Sequence, residues 1–186
     1  MLETFLVSTG LVAIGEIGDK TQLLSLILAT RFRRPWPIVA GIFAATLANH
    51  SVAGGLGAWI TSVAGADTMV KVAGASFLAM AIWALVPDKV DEGEVRNEVR
   101  GGVFLTTLVL FFMAEMGDKT QLATVALAAR YPSLVAVVAG TTLGMLIADV
   151  PVVFFGDAIA KKVPIAVARK IAAAAFAVLG VLALLG

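Results

Sequence analysis

The sequence predicts an all-α integral membrane protein, with six transmembrane helices arranged as two inverted three-helix repeats. Three observations carry this. First, of 186 residues 60% are hydrophobic and 15% charged, against roughly 45–50% and 25% in a soluble globular domain. Second, apolar stretches long enough to cross a bilayer recur along nearly the whole chain, with mean hydropathy +0.97. Third, a charged octet, Glu16-Ile17-Gly18-Asp19-Lys20-Thr21-Gln22-Leu23, returns once as Glu115-Met116-Gly117-Asp118-Lys119-Thr120-Gln121-Leu122.

Irregular backbone cannot face lipid, so the spans are helices or a closed barrel. The apolar runs do not alternate with period two, and helices are therefore expected. The spans fall at roughly 3–30, 36–64, 69–87, 102–129, 133–160 and 166–186. Spans one, two, four and five exceed the ~20 residues a bilayer needs, so they should tilt, kink or protrude. Pro35, Pro37, Pro87, Pro132 and Pro164 punctuate the connections. Pro151 lies inside span five, where a proline frees a carbonyl one turn back and kinks the helix. Met1-Leu2-Glu3-Thr4 has no basic n-region, so no cleavable signal peptide is expected.

Sliding the chain on itself by 99 residues aligns Glu16 with Glu115 without a gap. The same offset pairs Phe5 with Phe104, Ser8 with Thr107, Ser25 with Thr124, Gly41 with Gly140 and Phe77 with Phe176. The chain therefore divides into a first repeat (1–87), a polar connector (88–100) and a second repeat (101–186). Three spans per half is an odd number, so the second half enters the membrane from the opposite side. That is the architecture of many secondary transporters, with the substrate site near the midplane between repeats. Arg31, Arg33, Arg34, Lys89, Arg96, Arg100, Lys161, Lys162, Arg169 and Lys170 fall on one side, and only Lys71 and Arg130 on the other. The positive-inside rule puts the connector in the cytoplasm and both termini outside, in a plasma (inner) membrane.

On a continuous helix Glu16, Asp19 and Lys20 share one face, and Glu115, Asp118 and Lys119 repeat that geometry. A charge at the bilayer centre costs at least ~2.5–3.5 kcal/mol, so these six facing lipid would cost on the order of 15–20 kcal/mol. They must face the bundle interior. Gly18 and Gly117 permit close approach or local unwinding, which would free carbonyls as extra ligands. Glu16, Asp19, Glu115 and Asp118 are the expected metal ligands, supported by Thr21, Gln22, Thr120 and Gln121. An all-oxygen shell suits a hard cation such as Mg²⁺, Ca²⁺ or Mn²⁺. Each motif carries two negative charges and one positive, so the pair sums to about −2, matching one divalent ion. When the ion leaves, the clustered carboxylates should take up protons, a physical route to cation/proton exchange. Lys20 and Lys119 could replace the ion electrostatically. The bland alternative is that Glu16–Lys20 and Glu115–Lys119 are intrahelical ion pairs that only lock the bundle.

Asp149 in span five is a further ligand, a proton relay or a hydrogen-bonded structural acid. The repeat places His50 opposite it, beside Asn49, and both are weaker candidates. Asp157 is expected at the interface, and the acidic stretch of the connector reads as a solvated linker. Met116 and Met145 could lend a thioether to a Mn²⁺ site, though methionine usually serves packing, and the Ala172–Ala175 run reads as close helix packing.

With no cysteine, disulfides, iron–sulfur clusters and thiolate metal sites are excluded. The net charge of +1 gives no basis for nucleic-acid binding. There is no Walker loop, dinucleotide turn or nucleophile–base arrangement, so neither an enzyme nor an ATP-driven pump is expected, and no cofactor. The partners expected are a divalent metal ion, protons and the lipid bilayer, with a homo-oligomer left open.

Two copies of E-x-G-D-K-T, intact as Glu16 to Thr21 and Glu115 to Thr120 in a six-span chain, resemble the family of small bacterial manganese exporters and eukaryotic Gdt-type Golgi cation/proton exchangers. The resemblance covers nearly the whole chain. It extends to Asp149-Val150-Pro151, where related proteins often carry Asn. It implies export of Mn²⁺ or Ca²⁺ from the cytosol with proton counter-transport. The chemistry of the residues alone reaches a hard divalent cation exchanger. A Ca²⁺/H⁺ antiporter is the alternative within that class. A non-transporting membrane scaffold and an exporter of an amino acid or other small zwitterion are the alternatives from other classes.

Overall fold

The computed structural model describes residues 1–86, 101–156 and 165–185, and every element among them is helical. In chain order these are α1 (Leu2–Glu16), α2 (Lys20–Phe32), α3 (Pro35–Ala64), α4 (Ala66–Trp83), α5 (Gly102–Glu115), α6 (Lys119–Arg130), α7 (Leu134–Phe155) and α8 (Ile165–Leu185). The expectations for the 88–100 connector, Asp157, Lys161 and Lys162 lie outside the described residues. Among the described residues, three helices are long and apolar enough to cross a membrane: α3, α7 and Ala166–Leu185 of α8.

Local chemistry sets the ends. Pro35 and Pro37 stand in the first turn of α3, where a missing backbone N–H leaves no helical bond unmade. Gly65, at φ +84°, separates α3 from α4. The Ser133 hydroxyl accepts the Ala136 N–H and so caps α7. Helix α7 continues through Pro151 to Phe155.

The expected single helix through each motif is corrected. Span one is two helices, α1 and α2, broken over Ile17–Asp19, and span four is α5 and α6, broken over Met116–Asp118. Glu16, Asp19 and Lys20 therefore do not ride one helical face. Glu16 ends a helix, while Asp19 and Lys20 begin the next.

Helix α1 packs along α7 and α5 along α3, while α4 lies against α8 and α6. The two long crossings are made at glycines equivalent under the 99-residue offset. A Cβ on Gly41 would sit 2.7 Å from the Thr107 Cβ. One on Gly140 would sit 2.7 Å from the Phe5 carbonyl oxygen and 2.8 Å from the Ser8 Cβ. Such contacts leave no room for a side chain and bring the backbones together, as in many membrane helix pairs. A third crossing joins α4 to α8, where Gly74 and Gly180 face each other. Beside it Phe77 and Phe176, also equivalent at that offset, stack with ring centroids 6.3 Å apart. Ala172 and Ala173 of the alanine run are buried in the same core, with Met69, Met80 and Leu127. A second core gathers Val12, Leu28, Ile38, Ile42, Phe111 and Met145. The outside of the bundle is apolar, with Trp36, Trp59, Val63, Ile82, Met113 and Val135 all strongly exposed. That surface belongs against lipid.

Gly140→Ala is expected to destabilise the bundle by ~1–3 kcal/mol, because the added methyl overpacks a backbone contact. Gly10, with nothing within 4 Å of an added Cβ, should tolerate Ala or gain slightly from helix propensity. Thermal unfolding of the two detergent-solubilised variants, followed by tryptophan fluorescence, separates these outcomes.

Candidate cation site

The two helix breaks meet, and the residues of the repeated octet from its glutamate to its glutamine build each break. Glu16 ends α1, and Ile17 is extended at φ −63°, ψ 113°. Gly18 turns at φ +81°, and Asp19 at φ −84°, ψ 172° is the N-cap of α2. The second copy repeats this: Met116 at φ −64°, ψ 119°, Gly117 at φ +77° and Asp118 at φ −82°, ψ 167°. The third position needs glycine, since a Cβ is disfavoured at that φ. The turn is closed by Asp19 N–H donating to the Glu16 carbonyl at 3.0 Å, and Asp118 N–H to that of Glu115 at 3.1 Å. Gln22 Oε1 accepts the Gly18 N–H at 2.9 Å. Gln121 Oε1 accepts that of Gly117 at 2.7 Å. This is the logic of a capping box, with a glutamine reaching back over the start of its helix.

The other end of each glutamine amide fastens the break to a long helix. Gln22 Nε2 donates to the Ala148 carbonyl of α7 at 3.1 Å, and Gln121 Nε2 donates to Asn49 Oδ1 of α3. Positions 49 and 148 are themselves equivalent at the 99-residue offset. Asn49 Nδ2 also donates to the Phe112 carbonyl at 3.3 Å. Asn49 is thus engaged at both amide atoms.

The carboxylates are held from both motifs. Thr21 Oγ1 donates to Glu16 Oε2 at 2.5 Å, and Thr120 Oγ1 to Glu115 Oε2 at 3.1 Å. Neither aspartate caps its own helix through its side chain. Instead each meets the lysine of the opposite motif. Lys119 Nζ donates to Asp19 Oδ1 at 2.8 Å, and Lys20 Nζ lies 3.6 Å from Asp118 Oδ1. These two ion contacts therefore cross between motifs.

Glu16, Asp19 and Asp118 each offer a carboxylate oxygen such that the three lie within 4.8 Å of one another, and all three residues are buried. Glu115 and Asp149 stand outside this tight triplet. Asp149 is fully buried. Ser25 Oγ donates to its Oδ1 at 3.0 Å. Ser25 is a residue that sequence reasoning used only to align the repeat. Among the described residues, Glu16 Oε1, Glu115 Oε1 and Asp149 Oδ2 are buried without a hydrogen-bond donor. A buried anionic oxygen is costly unless something positive meets it. His50 is fully buried with no hydrogen-bond partner at either ring nitrogen among the described residues. It lies outside the close carboxylate triplet.

Four helix ends also converge here. The C-termini of α1 and α5 present carbonyl oxygens, and the N-termini of α2 and α6 present N–H groups beside the acids. Discontinuous helices whose ends meet at buried charge are how membrane carriers build ion sites. Fold and site together describe a multi-pass membrane protein that transports cations. The comparisons agree: residues 4–92 and 103–186 match the model of the "Divalent cation/proton antiporter GDT1" family. The chain belongs to that family. It is 49% identical over 177 residues to a Vibrio cholerae protein named "Putative manganese exporter", covering 95% of this chain and 88% of that one. It is 29% identical over 192 residues to "GDT1-like protein sll0615" of Synechocystis, covering 88% and 87%. It is 26% identical to the rice "GDT1-like protein 4", of whose length it spans 66%. No solved structure matches the chain.

Gln22→Ala should loosen α2 from α7 and leave the Gly18 N–H without its acceptor. We expect a loss of ~1–3 kcal/mol, the range for an orphaned buried polar group. Hydrogen exchange should rise locally over 17–24 and 146–150, read by mass spectrometry, while exchange over α4 and α8 stays unchanged.

Proposed function

We propose that this protein is a secondary transporter that exports Mn²⁺ in exchange for protons, through one midplane site built from both E-x-G-D-K-T motifs. The observation that carries this is the convergence of carboxylate oxygens from Glu16, Asp19 and Asp118, which belong to motifs 99 residues apart, within 4.8 Å. An oxygen-only set that close suits a hard divalent ion. Manganese is favoured by the name of the Vibrio cholerae relative, and proton exchange by the family's description.

In this reading Glu16, Asp19, Glu115 and Asp118 bind the ion. Thr21, Thr120, Gln22 and Gln121 fix the shape of the site, and Asp149 shares in proton coupling. The pairs α1–α2 and α5–α6 each cross the membrane as one discontinuous span, making six with α3, α4, α7 and α8. Residues 1–87 and 101–186 then form two three-span repeats of opposite orientation, linked in the cytoplasm by 88–100, with both termini outside. The 99-residue offset and the recurrence of each break contact at that offset support this arrangement. Glu16 and Glu115 exchange the metal for protons when the site turns between faces, since several adjacent buried carboxylates cannot all stay charged without a cation.

Purified protein in liposomes tests the reading. With an acidic lumen, added Mn²⁺ should enter and the lumen should become more alkaline. A lumen held at the outside pH should slow entry. No divalent flux from folded protein would reject the proposal, and flux of Ca²⁺ with none of Mn²⁺ would make the protein a Ca²⁺/H⁺ antiporter. Replacing Glu16, Asp19, Glu115 or Asp118 singly by Ala should cut flux at least about tenfold, equivalent to ~1.4 kcal/mol of lost binding, while the protein still inserts. Wild-type flux from any two would show that the four carboxylates do not form one site.

A further inference from the structure

We propose that Lys119 and Lys20 are tethered counter-cations that alternate with the transported ion, and that Lys119 is the principal competitor. This deepens the cation-transport reading above and rests on it. Three observations point to it.

The lysines occupy the ion's own ligands. Asp19 and Asp118 are two of the three residues whose carboxylate oxygens converge, and each contacts the ammonium of the opposite motif. Two ammoniums bring the same charge as one divalent ion. Each is fixed on its chain, so it returns without diffusing.

The lysines also stand where a helix does not favour them. Lys20 and Lys119 are the first residues of α2 and α6, where the helix dipole disfavours a cation. Their position is explained by the aspartates across the site, not by their own helices. A divalent ion drawing in Asp19 and Asp118 would displace both ammoniums by repulsion at short range.

The two contacts are unequal. Lys119 is 8% exposed and meets Asp19 at 2.8 Å, whereas Lys20 is 26% exposed and stands 3.6 Å from Asp118. The nearer, drier pair is the stronger one, because a shorter distance and a lower local dielectric both strengthen attraction. Lys119 is therefore the cation that a metal must chiefly displace.

The consequence is specific in sign. Removing a ligand or a structural strut weakens metal binding, whereas removing a competitor tightens it. Lys119→Gln should bind Mn²⁺ about tenfold more tightly than wild type, and Lys20→Gln only about threefold, the smaller effect following from greater exposure and distance. Transport should respond in the opposite direction. Without the counter-cation, the unloaded site carries uncompensated charge across the membrane. Net Mn²⁺ flux by Lys119→Gln should fall several-fold, while exchange of labelled Mn²⁺ for unlabelled Mn²⁺, which never unloads the site, should persist.

The experiment is Mn²⁺ binding to the full chain in lipid nanodiscs, with free Mn²⁺ read by its paramagnetic resonance signal, alongside net and exchange flux in liposomes. Equal or weaker binding by Lys119→Gln, or net and exchange flux falling together, overturns the proposal. If Lys119→Gln fails to assemble, Lys20→Gln decides, and unchanged or weaker Mn²⁺ binding there overturns it equally. Absence of Mn²⁺ binding by wild-type protein removes the cation-site reading itself, an outcome distinct from wild-type binding that no lysine variant tightens.

Discussion

A charged side chain inside an apolar bundle is tolerable only if opposite charge or hydrogen-bond donors surround it, and this protein meets that requirement with threonines that hold the glutamates within each motif and lysines that meet the aspartates across the two motifs. The Lys119–Asp19 contact at 2.8 Å joins residues 100 positions apart and bridges the start of α2 to that of α6. The rest of the centre depends on it. The helix breaks must lie side by side for the lysines to reach. The α1–α7 and α3–α5 crossings must be close enough to bring the breaks there, and glycines at 41 and 140 allow that closeness. Removing one partner of such a contact leaves a buried charge alone, so the arrangement constrains the fold.

The octet is also a compact set of instructions for breaking a helix and restarting it. Glutamate ends one segment, glycine makes the turn at positive φ, aspartate starts the next, and glutamine reaches back to the glycine N–H while anchoring to a neighbouring helix. Threonine holds the glutamate. Aspartate and lysine are left to face the opposite motif. These six members are thus tied to geometry or to charge, and the dihedrals at the helix restart recur nearly unchanged in the second copy.

Much of this was legible beforehand, for identifiable reasons. Helices followed from apolar runs without period two, and the equivalence of Glu16 with Glu115 from the gapless offset. The need for the motifs to face inward followed from the cost of charge in lipid. The breaks were less legible. An isolated glycine in an apolar run costs a helix only ~1 kcal/mol and is tolerated inside membrane spans, so Gly18 permitted unwinding without requiring it. The crossed ion contacts were hidden by a local alternative, because Glu16 and Lys20 at i, i+4 look self-sufficient on a continuous helix. The Ser25–Asp149 hydrogen bond spans 124 residues, and no local pattern announces it. Ser25 matters through what α7 brings beside it.

An exchanger needs one site that two ligands cannot fill together and that reaches either face in turn. In the proposed exchanger both demands fall on the same few atoms, between breaks equivalent at the repeat offset. In that proposal a single metal ion is shared by the two motifs. Crystals of the protein grown with Mn²⁺, measured at the manganese absorption edge, test this most directly. One anomalous peak per chain is expected, lying between Asp19 and Asp118 and coordinated only by oxygen. Two separate peaks, one at each motif, or a single peak away from both aspartates, would contradict it.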